Sequence, residues 1–197
     1  AGEDRRVSGP AALTLGQRRG LPDEIALLRA AFPKDAWRGH ANFGQLADFW
    51  LHVHASLRHE GVEVLRIVDA FRDRRIDAPR FQQGFVTGLN AFLQHLDQHH
   101  RIEDHAYFPK FRLLDPRMTA GFDLLEADHA LIHDGLVATV DSARSMLQAL
   151  PGADAARAVD GHAVQMRRFV DLLLAHLSDE EDLVIPAILH HGERALA

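Results

Sequence analysis

The stretch "FVTGLNAFLQHLDQHHRIED", residues 85–104, decides the fold. Phe85, Leu89, Phe92 and Leu96 recur in steps of four and three, the period that keeps side chains on one face of an α-helix. The next members of that series are His99 and Glu103, so a stripe that begins as helix core ends in an imidazole and a carboxylate one turn apart. His95 and His100 stand off this register. Neighbours on a helix point about 100° apart, and of His99 and His100 only His99 is expected to face inward.

The same phrase returns in "HLSDEED", residues 176–182. Here His162, Met166, Phe169 and Leu173 continue to His176 and Glu180, and both copies run on to a proline, Pro109 in one and Pro186 in the other. A buried carboxylate without a partner is costly, so two of them aimed into one core call for positive charge. Arg101, Arg167 and Arg168 fall on other helix faces, which leaves a cation bound between helices as the expected compensation.

Two further segments add ligands. Phe122, Leu125, His129, then Ile132 or His133, Leu136 and Val140 form an inward series that contains "HALIH", and His129 and His133, four apart, can chelate one ion from one face. Trp50, His54, Leu57, Gly61 and Val64 form the matching series upstream, with His52 and His59 outside it. Five imidazoles and two carboxylates are therefore expected to converge: His54, His99, Glu103, His129, His133, His176 and Glu180. Any one of them alone would read as a core histidine or a stray acid. Seven in register read as a metal site.

Pro, Gly and Asp in "DRRIDAPR" (73–80), "LLDPRMTAG" (113–121) and "LPGAD" (150–154) mark loops. Between them lie four expected helices, about 42–73, 80–110, 118–149 and 154–190. Helices of about 30 residues are roughly 45 Å long, and short loops force such rods to pack antiparallel. The expected fold is all-α, an up-down-up-down four-helix bundle over 41–191. Residues 1–40 form an N-terminal extension, partly helical, with a short helix begun at Pro22 and stopped by Pro33.

Composition narrows the chemistry. The chain has 197 residues, 47% apolar and 25% charged, which suits a globular protein and excludes disordered and fibrous classes. A net charge of -6 without a basic run gives no footprint for nucleic acid. No apolar run nears the ~20 residues that span a bilayer, and "AGEDRRVSGP" has no secretory apolar region, so the expected location is the cytoplasm. There are 14 His and no Cys, so any metal must be held by nitrogen and oxygen. Seven protein groups exceed what one first-row ion accommodates. Two ions sharing two bridging carboxylates and an oxo or hydroxo bridge fit, one with three His and the other with two His and an open position. This donor set suits iron better than manganese or zinc.

The order His54, "HHRIE", "HALIH", "HLSDE" resembles hemerythrin and the hemerythrin-like HHE domains over about residues 42–190. The resemblance implies a non-haem di-iron centre, with His129, His133 and His176 on one iron, His54 and His99 on the other, and Glu103 and Glu180 bridging. It also implies reversible binding of O2, nitric oxide or peroxide, for storage or sensing. The chain departs from the oxygen carriers in two ways. They place an Asp five positions after the last His, whereas here Glu180 stands at four, repeating the His99 to Glu103 spacing, and Glu181 at five is the alternative bridge; and the extension is additional, expected to shield the ligand channel or form a homodimer. The rival reading from the same centre is an enzyme turning over peroxide or O2, with Tyr107 as the candidate proton donor. A ferritin-like site needs two Glu-x-x-His pairs; Glu126 and His129 make the only one, and His54, His99 and His176 would be idle.

Overall fold

Two of the long helices begin where a carboxylate accepts their unpaired backbone N–H groups. The computed structural model describes residues 13–196, and residues 1–12 of the expected extension lie outside them. Five α-helices follow one another: α1 Gln45–Arg72, α2 Ala78–Ile102, α3 Phe108–Leu114, α4 Thr119–Ala149 and α5 Ala155–His191. No strand occurs among the described residues, and no helix is long and apolar enough to cross a membrane.

At the start of α2, the Asp77 carboxylate accepts the Arg80 N–H at 3.0 Å and Pro79 fills a position where no N–H is needed. The start of α1 is served from far away. Glu193 accepts the N–H groups of Leu46 and Ala47 at 2.6 and 3.1 Å, and a Cβ on Gly44 would come within 2.6 Å of that carboxylate. A carboxylate at a helix N-terminus also meets the positive end of the helix dipole.

The expected helix 80–110 is interrupted. A π-helical turn, Glu103–Tyr107, separates α2 from α3, and the Phe108 N–H donates to the Glu103 carbonyl, five residues back. The turn lies just before Pro109, which has no N–H and whose ring would strike the carbonyl four residues earlier in a regular helix. One widened turn absorbs the misfit, at a place in the sequence where such turns often accompany function. In α5 the second proline, Pro186, is taken within the helix.

The expected short helix after Pro22 is not one continuous element. Residues 23–32 form successive turns, with Ile25 and Ala26 both donating to the Pro22 carbonyl and Phe32 to that of Leu28, followed by a 3-10 helix, Lys34–Gly39. Leu21, Ala26 and Trp37 are buried against the bundle, and Trp37 donates to the Phe32 carbonyl at 2.8 Å. Packing rather than helical propensity holds this segment.

The helices are paired by side chains near both ends. Phe71 stacks on Phe81 and His54 meets His99 edge-on between α1 and α2. Arg72 reaches Asp160 and Arg58 reaches Glu181 between α1 and α5. Ser142 meets His162 and His129 meets His176 between α4 and α5. The core is divided in two. One apolar cluster holds Leu57, Val64, Phe85, Phe92, Leu96, Ile132, Met166 and Leu173; the other holds Trp50, Phe108, Phe111, Phe122, Leu125 and Leu183. On every long helix the polar positions predicted from the sequence fall between the two, so a polar layer lies between two apolar ones.

Candidate metal centre

Two groups of ligand atoms meet in that layer. His54, His99, Glu103 and Glu180 form one, and His100, His129 and His176 the other; within each, one nitrogen or oxygen per residue lies within 4.8 Å of the rest. The carboxylates connect the groups. Glu103 turns Oε1 to His99 Nε2 at 3.0 Å and Oε2 to His129 Nε2 at 3.6 Å. Glu180 turns Oε1 to His54 Nε2 at 3.2 Å and Oε2 to His176 Nε2 at 3.3 Å. Each acid therefore offers one oxygen to either side.

Three of the imidazoles are held from behind. His54 Nδ1 lies 3.0 Å from Glu181, His129 Nδ1 2.7 Å from Asp104, and His176 Nδ1 3.4 Å from Asp128. A carboxylate at Nδ1 accepts its proton and leaves Nε2 with a free lone pair, the arrangement that orients histidines on metals. His129 Nε2 and His176 Nε2 are only 3.1 Å apart. Two lone pairs at that distance repel unless a proton or a cation stands between them. Trp50 Nε1 donates to Glu180 Oε1 at 2.6 Å and fixes that carboxylate.

What these atoms lack is the test of whether a metal fits. Nε2 of His54, His99 and His100, both oxygens of Glu103 and Oε2 of Glu180 are buried with no hydrogen-bond partner. Buried polar atoms are nearly always satisfied, and orphans converging from three helices fit a cation held by imidazole and carboxylate. The proton affinities agree. Burial and the Glu180 charge hold the Glu103 carboxyl well above its ordinary range, while Glu180, equally buried, is held well below it by His54 and His176. Burial pushes His99 down to about 3 and His100 well below its usual value, so both stay neutral with lone pairs available.

The structure brings together six of the seven residues read from the sequence: His54, His99, Glu103, His129, His176 and Glu180. It does not bring His133, which is exposed. On α4 the buried series runs His129, Ile132, Thr139, and His133 points about 100° away from Ile132. His100 takes a place there instead, correcting the expectation that it faces outward. It is 7% exposed and stacks on His129 at 3.9 Å. The reason is the width of the buried arc on α2: His99 turns to α1 and His54, His100 to α4, and both sides of the helix are covered. Glu181 is not in either group; it backs His54 and pairs with Arg58 at 2.6 Å.

Sequence reasoning missed the supports Asp104 and Asp128, and placed Trp50 inward without its hydrogen bond to Glu180. The signal was adjacency: Glu103–Asp104, Asp128–His129 and Glu180–Glu181 each place an acid beside a ligand.

Residues 45–188 match the family model described as hemerythrin HHE cation binding domain. Comparison with curated proteins and with solved structures gives no match.

Proposed function

Because the chain belongs to the hemerythrin HHE cation-binding domain family, we propose that it holds two iron ions and binds O2 or a related small ligand at one of them. The carrying observation is the pair of carboxylates, each offering one oxygen to either histidine group. His100, His129 and His176 would hold one ion, His54 and His99 the other, and Glu103 and Glu180 would bridge them. In this reading the four long helices make an up-down-up-down bundle, which the paired contacts near both helix ends support. Bound iron would supply a redox-active Lewis acid for O2, nitric oxide or peroxide.

The chain's own part is access and protection. A cavity of about 240 Å³ reaches His99 and Glu103 and is walled mainly by Phe49, Trp50, Val53, Ile102 and Tyr107, with His95 and Gln98 also lining it. Such a wall admits small uncharged molecules and disfavours ions, which would have to shed their hydration. The histidine pair His54 and His99 lies nearer this opening and has fewer imidazoles than the other group, so the ligand is assigned to that side. Peroxide turnover is the second reading, favoured by the Tyr107 phenol in the same cavity wall, where it can hold or release a proton.

Metal analysis tests the proposal, with two irons per chain expected, followed by stopped-flow absorbance of the reduced protein mixed with O2 and then with peroxide. A stable oxygenated band supports carriage; rapid peroxide loss with gas evolution supports turnover. A chain that takes up no iron refutes both.

A further inference from the structure

Arg18 belongs to none of the helices, yet it is among the most deeply buried charges in the molecule, with a side chain 3% exposed. Its guanidinium grips both oxygens of Asp128, Nη1 to Oδ1 at 2.9 Å and Nη2 to Oδ2, while Nε donates to Asp179 Oδ2 at 2.7 Å. Nη1 also donates to the Leu13 carbonyl at 2.8 Å, closing the segment on itself. The turns on either side are made by Gly16 and Gly20, whose φ angles of +84° and +110° suit glycine and little else. Asp128 Oδ2, the oxygen that receives Nη2, is also the one that faces His176 Nδ1 at 3.4 Å.

Burying one cation and two anions is a poor way to gain stability, since the desolvation cost rivals the attraction. The segment already has Leu15 and Leu21 buried as apolar anchors. What the ion triad adds is position. Asp128 cannot rotate away from His176 while the planar, two-pronged guanidinium holds it. One guanidinium between two carboxylates also leaves one negative charge in excess beside His176, which favours a cation on that imidazole's other nitrogen.

We propose that Arg18 is a positioning residue for the metal centre: by fixing Asp128 behind His176 it couples docking of residues 13–44 on the bundle to ion binding, each favouring the other. Coupling of this kind is reciprocal by thermodynamic necessity. The inference rests on the iron-binding reading above and reaches beyond it, because the matched family region, residues 45–188, does not include Arg18.

The test uses the full chain, iron-loaded and metal-free. Arg18→Met keeps an unbranched apolar stem and removes the guanidinium with its charge, and is expected to weaken iron binding about 10- to 100-fold in competition with a chelator. Arg18→Lys should recover part of the loss. In the wild type, amide hydrogen exchange across residues 13–44 should slow on iron loading. Wild-type affinity in a folded Arg18→Met protein, or exchange in this segment that is the same with and without iron, overturns the proposal while leaving the metal centre intact. Should Arg18→Met not fold, the wild-type exchange comparison decides alone. A wild-type chain that binds no iron overturns both readings.

Discussion

His162 and His176 stand on the same stripe of α5, both buried, and their surroundings differ completely. His162 lies in the apolar cluster, edge-on to Phe85 at 5.1 Å, with the Ser142 hydroxyl 3.1 Å from Nδ1 and no partner for Nε2. Burial pushes it down to about 4. For His176 burial acts in the same sense, but Asp128 and Glu180 outweigh it and raise the imidazole above its ordinary value. Burial by itself makes a histidine a neutral core residue; carboxylates on both ring nitrogens make it part of a place built for positive charge. The apolar half of the bundle supplies rigidity and dryness, and the polar layer spends them on convergence.

The sharpest attack on this contrast removes a bridge. Glu180→Ala should abolish iron loading, read by metal content per chain, while His162→Ala loads normally; loss of iron in both would erase the distinction. Within the polar layer, His100→Ala should weaken iron binding tenfold or more and His133→Ala should leave it unchanged, the reverse of what helix register on its own predicts.

Next in size is the apolar half. Phe92 is fully buried and packs beside Gly61 and Phe169. Phe92→Ala should cost about 3–5 kcal/mol by denaturant unfolding, with iron per chain unchanged. Iron loss in the folded variant would show that the two halves are not separable.

The smallest effect is a pH dependence. Since His162 is held below its ordinary value of 6.5, the unfolded chain takes up its proton first, and stability falls as pH drops from about 6.5 to 4, by at most about 3 kcal/mol. Above that window the group contributes no slope. His162→Leu should lose this share, so the variant should gain on the wild type as the pH is lowered. Parallel stability curves for the two proteins would mean that His162 takes up its proton as readily in the fold as in the unfolded chain.

Much was legible in the chain before any coordinates. The step of three and four places Phe85 through Glu103, and His162 through Glu180, on single helix faces, because 3.6 residues per turn is a local property of the backbone. The repeated His-x-x-x-Glu spacing likewise needs only one helix to bring its two groups together. What periodicity leaves open is how wide the buried arc is, since that depends on how many neighbours a helix has. Covered by α1 and α4, α2 turns both His99 and His100 against a neighbouring helix, whereas α4 leaves His133 outside. Glu180 rather than Glu181 meets both groups for the same reason. Arg18 lies furthest from local reading: its partners are 110 and 161 residues away in the chain. A contact of that kind carries no spacing signal, because it is made by folding the segment back over a finished bundle.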